Sequence, residues 1–177
     1  MSVEGKKIAI LVDNYFEQAE YEEPLNQLKE AGADVATVAT KNKELHGMRH
    51  TEIGDSFAAD VLLEDIDFDD YDALVLPGGV VNADKLRMNE KAREWVIRFA
   101  DEGKLVAAIC HAPWLLISAG VAKGQELTSY FTLQDDIRNA GATWTDEEVV
   151  TSDNFITSRN PDDIPAFVGA ILEWFDE

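Results

Sequence analysis

The chain has 177 residues, with 35 Asp and Glu against 15 Lys and Arg, and its formal net charge at pH 7 is −20. This length fits one domain, and an apolar fraction of 46% excludes an intrinsically disordered chain. Because such an acidic surface repels polyanions, we expect neither nucleic acid nor an anionic membrane as a partner. The acidic residues are spread over the whole sequence, which favours a halophilic protein from a high-salt cell over an ordinary acidic protein.

The cysteine count and the N-terminal sequence exclude several classes of protein. Cys110 is the single cysteine, which excludes an intrachain disulfide framework and a multi-cysteine metal site. Residues 1–13 lack the long apolar region and cleavage site of a signal peptide, and no stretch is apolar enough to span a membrane. We therefore expect a cytoplasmic protein, and nothing in the sequence indicates a metal or organic cofactor.

Apolar runs and helical patterns alternate along the chain. The short apolar runs are typical of strands that are buried on both faces of a parallel sheet. Residues 41–63 are irregular and predict short strands and turns. In chain order, the predicted elements are strand 7–12, a helix within 17–32 that has Pro24 in its first turn, strand 34–40, strand and glycine turn 73–79, helix 84–102, strand 105–109, helix 112–119, helix 133–139, strands 149–150 and 155–157, and a closing helix from 161.

This alternation predicts an α/β fold with an open, mainly parallel central sheet. No Pro/Gly/Ser-rich linker, repeat or low-complexity segment interrupts it, so residues 1–177 are predicted to form a single domain.

Cys110 follows the buried strand 105–109 directly and precedes a predicted helix. Such a strand–turn–helix junction is a nucleophile elbow, which presents one side chain at the carboxyl end of the sheet. The nearby helix N-terminus would favour the thiolate. A small buried apolar residue is the alternative role for a free cysteine, but the junction and the adjacent His111 favour a reactive one.

Three further features could serve such a nucleophile. His111 can act as a general acid or base, or could only be a hydrogen-bonded neighbour. The turn Pro77-Gly78-Gly79 could supply backbone N–H groups to an oxyanion. Glu17 follows the first strand and could donate a hydrogen bond to the sulfur when protonated, although spacing alone favours a solvated surface charge.

Two acidic or histidine-containing patterns are not interpreted as metal sites. His46, His50 and Glu52 have suitable residue types, but Gly47 makes helical spacing of the two histidines improbable. The acidic run 64–72 lacks the glycine and terminal glutamate of a calcium loop.

Taken together, these motifs resemble the PfpI family of the class I glutamine amidotransferase-like superfamily. The resemblance covers nearly the whole chain. Its motifs are Asn14-Tyr-Phe-Glu17, Asp72-Ala-Leu-Val-Leu-Pro-Gly-Gly79, Leu86-Arg-Met-Asn-Glu90, Ala107-Ala-Ile-Cys-His111, Leu116-Ile-Ser-Ala-Gly120, Leu127-Thr-Ser-Tyr130, Asn139-Ala-Gly141, Thr157-Ser-Arg159 and Pro161-Asp-Asp.

The resemblance implies a flavodoxin-like three-layer sandwich in which Cys110 is the nucleophile and Glu17 is hydrogen-bonded to its sulfur. It further implies that His111 is the catalytic histidine, that the N–H groups of Gly79 and His111 form the oxyanion hole, and that Tyr130 lies close to the cysteine. The resemblance also implies that this chain forms a homo-oligomer, because members of the family form dimers or larger rings. In its peptidase-like branch an acidic residue after the glycine turn reaches the histidine of a neighbouring subunit.

Two positions of this chain depart from the family pattern. Asp84 is the candidate for the intersubunit acid, but it replaces a glutamate and lies one residue further from the turn, which puts that triad in doubt. Ala112 replaces a common glycine, and we expect it to keep the turn in ordinary dihedral angles, because alanine tolerates a positive φ poorly.

The resemblance implies a stress-protection enzyme that acts on reactive carbonyls, as a glyoxalase III or a deglycase, through attack of the Cys110 thiolate on a carbonyl. An intracellular cysteine peptidase acting on peptides is the alternative. A non-enzymatic alternative is a redox-sensing stress chaperone, in which an exposed, acidic thiol would oxidise readily.

Overall fold

The computed structural model describes residues 3–177, in which a mainly parallel central sheet lies between two layers of helices. In chain order, the strands of residues 3–177 are β1 Lys7–Val12, β2 Phe16–Glu17, β3 Asp34–Ala39, β4 Glu44–Arg49, β5 Glu52–Ala58, β6 Val61–Leu62, β7 Ala73–Leu76, β8 Leu105–Ile109, β9 Glu126–Leu127, β10 Thr143–Trp144, β11 Val150–Ser152 and β12 Phe155–Ser158. The α-helices of the same residues are α1 Gln18–Glu30, α2 Val80–Met88, α3 Glu90–Asp101, α4 Pro113–Ser118, α5 Gln134–Asn139 and α6 Ile164–Trp174.

The central sheet has the strand order β11-β12-β8-β7-β1-β3-β6, and only β11 runs antiparallel to its neighbour. Strands β1, β7 and β8 lie in its middle and are almost wholly buried, because side chains on both of their faces pack against helices. This arrangement confirms the expected α/β sandwich with a mainly parallel sheet.

Two apolar cores flank the sheet. One face packs against α1 and α6 through residues such as Tyr21, Leu28 and Phe167. The other packs against α2, α3, α4 and α5, where Trp95 and Phe99 are among the largest buried side chains. The edge at which parallel strands end is left open between these layers, and this is where open α/β folds usually bind ligands.

The single helix predicted for residues 84–102 is in fact two helices. Helix α2 begins at Val80, directly after the glycine turn, and ends at Met88, because the extended backbone of Asn89 (φ −81°, ψ 116°) interrupts the helical path. The Asn89 side chain accepts a hydrogen bond from the N–H of Ala92 and so caps α3.

Residues 41–63 form short strands, as expected. Strands β4 and β5 are a hairpin that joins β2 in a small separate sheet, and its turn at His50 and Thr51 lies beside the open edge of the central sheet. No helix within residues 3–177 is long and apolar enough to cross a lipid bilayer.

Candidate active site

A cleft of 1140 Å³ opens at the carboxyl edge of the central sheet. Five residues singled out from the sequence lie in its wall: Cys110, His111, Glu17, Gly79 and Tyr130. The chain brings them together because β1, β7 and β8 are neighbours, so the segments that follow these strands meet at one place.

Cys110 directly follows strand β8 and has a strained backbone conformation. Its φ is +64°, in the left-handed region that an L-residue with a side chain rarely occupies. Two backbone hydrogen bonds hold it there, from its own N–H to the carbonyl of Ser158 (3.0 Å) and from the N–H of Tyr130 to its carbonyl (2.8 Å). Ala112 has the ordinary φ of −57° that was expected, but the turn as a whole is not ordinary, because its strain falls on Cys110.

Two backbone amides point at the sulfur of Cys110. The N–H groups of Gly79 and His111 both donate hydrogen bonds to it, and both contacts lower the pKa of the thiol. The same pair is placed to hold the oxygen of a carbonyl carbon that is attacked by the sulfur.

The turn before Gly79 leaves no space for side chains. A methyl group on Gly78 would lie 2.7 Å from Cβ of Cys110, and one on Gly79 would lie 2.6 Å from the backbone nitrogen of Glu17. Gly79 also has a φ of +89°. The two glycines therefore allow the turn to approach both the nucleophile and the segment after β1.

The carboxyl group beside Cys110 belongs to Glu20, which the sequence analysis did not select. Glu20 lies in the first turn of α1 and is completely buried. Its Oε2 accepts a hydrogen bond from the N–H of Gly78 (3.1 Å), and its side chain interacts with the Cys110 thiol. Its Oε1 is buried and, apart from this interaction of the side chain with the thiol, has no hydrogen-bond partner within residues 3–177.

Burial raises the pKa of Glu20 from 4.5 to about 8, against the lowering effect of the contact with Cys110, and the nearby charge of Glu17 raises it further. Glu20 is therefore mainly protonated at neutral pH and can donate its proton in a hydrogen bond to sulfur.

Burial also raises the pKa of the Cys110 thiol, and a charged Glu20 would raise it more. A protonated Glu20 removes that second contribution and adds a donor beside those of Gly79 and His111, which favours the thiolate. The thiol is only 7% exposed, so it is not the exposed thiol that the redox-sensing alternative assumed.

His111 packs flat against Tyr130. The two ring centroids are 4.7 Å apart at an interplanar angle of 26°, and Nδ1 of His111 lies 3.2 Å from Sγ of Cys110. Burial lowers the pKa of His111, which favours the neutral ring. A neutral imidazole in contact with the sulfur can accept the thiol proton or move a proton on a substrate bound there.

The expected contact between Glu17 and the sulfur is wrong, because that position is occupied by Glu20. Glu17 is the residue before α1 and has an extended backbone (φ −64°, ψ 117°). Its two carboxylate oxygens accept hydrogen bonds from the N–H of His50, at 3.2 and 3.3 Å, so the side chain lies toward the β4–β5 turn.

The helical pattern of α1 could have identified Glu20. Glu20, Pro24 and Leu28 are spaced by four residues and form the buried stripe of the helix. The sequence pattern predicts a helix with Pro24 in its first turn, whereas the helix begins six residues before Pro24, at Gln18. With a helix start near Pro24, Glu20 would precede the helix, so the four-residue spacing that indicates its burial was not applied to it.

Asp84 lies away from the cleft in the same chain. It lines a second cavity of 540 Å³ together with Asp13 and Lys85, so a contact between Asp84 and His111 of a neighbouring copy stays a prediction. Within residues 3–177, no group of three or more His, Cys, Asp and Glu side chains is arranged to hold a metal ion.

Comparison with known proteins identifies the family to which the chain belongs. Residues 6–174 match the model of the DJ-1/PfpI family. Deglycase PfpI of Pyrococcus furiosus is 43% identical over 162 residues, which cover 92% of this chain and 95% of that protein. YraA of Bacillus subtilis, which is named provisionally as a cysteine protease, is 41% identical over 164 residues, covering 92% of this chain and 94% of its own length.

Solved structures share the fold. A two-domain protein of Anabaena variabilis with a DJ-1/ThiJ/PfpI-like and a ferritin-like domain superposes with a TM-score of 0.90 at 37% identity. The match covers 97% of this chain and 48% of that one, so this chain spans about half of the two-domain protein. DJ-1 of Schizosaccharomyces pombe has a TM-score of 0.86 at 22% identity, over 95% of this chain and 90% of its own. The chain belongs to the DJ-1/PfpI family.

Proposed function

We propose that the protein is a cysteine-dependent stress-protection enzyme that acts on reactive carbonyls, as a glyoxalase III or a deglycase. The observation that carries this proposal is the environment of one sulfur atom. Sγ of Cys110 accepts hydrogen bonds from the N–H groups of Gly79 and His111 and interacts with the carboxyl group of Glu20. Nδ1 of His111 lies 3.2 Å from the same sulfur. The relatives named deglycases support a role of this kind.

The first step uses the thiolate and the two backbone donors. For methylglyoxal, Sγ attacks the aldehyde carbon, and the carbonyl oxygen becomes an alkoxide held by the N–H groups of Gly79 and His111. A proton from Glu20 neutralises this oxygen and completes the hemithioacetal.

The second step moves one proton between two carbons. His111 or Glu20 removes the hydrogen of the former aldehyde carbon, and a proton is delivered to the neighbouring ketone carbon. The hydroxyl proton of the hemithioacetal passes to the former ketone oxygen, which yields a thioester of lactate on Cys110. Water then hydrolyses the thioester and releases lactate and the thiol. The sum is methylglyoxal plus water to lactate, with no external oxidant or reductant.

A cysteine peptidase is the second candidate, favoured by the direct contact between Sγ and Nδ1 of His111 and by the relative YraA. In that reaction the alkoxide would collapse with loss of an amine, which needs a proton from His111. The test must therefore separate carbonyl conversion from peptide cleavage.

The test measures lactate formed from methylglyoxal in amine-free buffer at about 2 M KCl, where surface charges are screened. We expect turnover by the wild type, none by Cys110→Ala, and a loss of at least about a hundredfold in Glu20→Gln, because its amide cannot transfer a proton. Glu30→Gln, at the far end of the same helix, is the matched control and should resemble the wild type.

Two results would overturn the proposal. Lactate formation that survives Cys110→Ala would remove the thiol from the reaction. Cys110-dependent cleavage of casein, without any lactate from methylglyoxal, would assign the site to the peptidase instead.

A further inference from the structure

The wall of the Cys110 cleft carries an excess of negative charge. Besides Glu20, it contains the carboxylates Glu17, Glu22, Glu23 and Asp162. Within residues 3–177, none of these four lies within 4.0 Å of a lysine or arginine nitrogen. The one arginine of the wall, Arg49, is paired with Asp55 at 2.9 Å.

Of the four acidic residues, Glu17 is the one whose charge acts on the buried carboxyl group of Glu20. Its side chain is 13% exposed, and its carboxylate acts electrostatically on Glu20. The backbone N–H of His50 fixes its orientation without adding net charge, and Nδ1 of the exposed His50 ring lies 3.9 Å from Oε1 of Glu17. Because no lysine or arginine of the described residues lies beside it, this partly buried carboxylate would be stabilised by a positively charged group that enters the cleft.

The cleft is a ligand site on grounds independent of these acids. It contains the strained Cys110, the two amides that point at its sulfur, and the buried Oε1 of Glu20, which makes no regular hydrogen bond within residues 3–177. The acids around it therefore bear on which molecules reach that site.

We propose that the cleft selects carbonyl substrates that carry a positive charge, with Glu17 as the main specificity-determining residue and Glu22, Glu23 and Asp162 as its support. The favoured class is a carbonyl compound that carries a positively charged group near its reacting carbon. Carbonyl compounds with a carboxylate or phosphate group are disfavoured. This inference rests on the proposed function for the identity of the reaction, but its electrostatic part can be tested without any turnover.

The first experiment measures how fast Cys110 reacts with two methanethiosulfonate reagents of similar size, one with a trimethylammonium group and one with a sulfonate group. Because Cys110 is the single cysteine, each rate reports on this cleft alone. The ratio of cationic to anionic rate is divided by the same ratio for a free small thiol. We expect a normalised ratio above about ten at low salt, and a several-fold preference that persists at about 1 M KCl, where only charges in near contact still act.

Matched variants separate the cleft from the overall charge of −20. Glu17→Gln should reduce the normalised ratio about threefold to tenfold, as expected for one nearby charge in a partly buried site. Glu30→Gln removes the same charge from the far end of α1 and should leave the ratio unchanged. Equal reduction by both variants, or a ratio near one in the wild type, would overturn the proposal.

The second experiment uses hemithioacetals of methylglyoxal with three thiols: cationic 2-(dimethylamino)ethanethiol, neutral N-acetylcysteamine and anionic 3-mercaptopropionate. We expect kcat/KM to fall in that order in the wild type, and the cationic preference to shrink in Glu17→Gln. Equal kcat/KM for the three adducts would overturn the selectivity while leaving the proposed function intact. Charge-selective labelling without turnover of any adduct would overturn the proposed function while leaving the selectivity intact.

Discussion

Replacing Glu20 by glutamine should change how the stability of the protein depends on pH. Burial raises the pKa of Glu20 from 4.5 to about 8, so over this interval the folded protein holds a proton that the unfolded chain has released. The stability from this group is fully present below pH 4.5 and is lost as the pH rises through about 8. Between pH 5 and pH 8 the loss amounts to roughly 3 to 4 kcal/mol.

Glutamine has no proton to lose, so Glu20→Gln lacks this dependence. We expect the free energy of unfolding of the variant, relative to the wild type, to increase by roughly 3 to 4 kcal/mol from pH 5 to pH 8. The measurement is denaturant unfolding followed by the fluorescence of the four tryptophans, at constant high salt and several pH values.

Two controls make the result specific. Glu30→Gln removes an exposed acid of the same helix and should leave the slope of the wild-type curve unchanged. Repeating the comparison with Cys110→Ala in both proteins removes any contribution of the thiol. A difference between wild type and Glu20→Gln that stays constant from pH 5 to pH 8 would refute a buried, protonated Glu20.

Three further outcomes are expected. Gly78→Ala should destabilise the protein by about 1 to 3 kcal/mol and abolish turnover, because the added methyl group would overlap Glu20 Oε2 and lie 2.7 Å from Cβ of Cys110; thermal unfolding and the lactate assay check this. Below about 0.5 M salt, the charge of −20 should lower the melting temperature or dissociate an oligomer, and an unchanged melting temperature and elution volume would contradict a halophilic surface. Asp84→Asn should lower kcat/KM of an assembled enzyme without altering its size on a gel-filtration column, whereas unchanged kcat/KM would exclude Asp84 from an intersubunit triad.

The central strands were predictable because each is a continuous apolar run bounded by polar residues or glycine. Strands β1, β7 and β8 are buried on both faces, and burial on both faces is what such runs require. The break at Asn89 was not predicted, because apolar residues continue at helical spacing on both sides of it. Its cap is visible only once the Asn89 side chain is seen to accept from Ala92.

The site was predictable where its residues follow strands, and less so where they lie on a helix. Cys110 and His111 directly follow β8, Gly79 lies in the turn after β7, and the ends of neighbouring parallel strands must lie close together. Glu17 and Glu20 are three residues apart in an acidic segment, and their roles depend on the residue at which α1 begins. That boundary is set by packing of Glu20, Pro24 and Leu28 against the sheet, which composition alone does not reveal.

The two donors aimed at the sulfur are backbone amides, and this determines how the protein can respond to its solvent. Amides carry no net charge, so added salt has little effect on the hydrogen bonds that Gly79 and His111 make to sulfur or to an alkoxide. Acidic residues can therefore accumulate on the surface without altering the bond-forming step. Salt should act on the entry of charged substrates past Glu17, so kcat would stay nearly constant with ionic strength while KM for a cationic substrate rises.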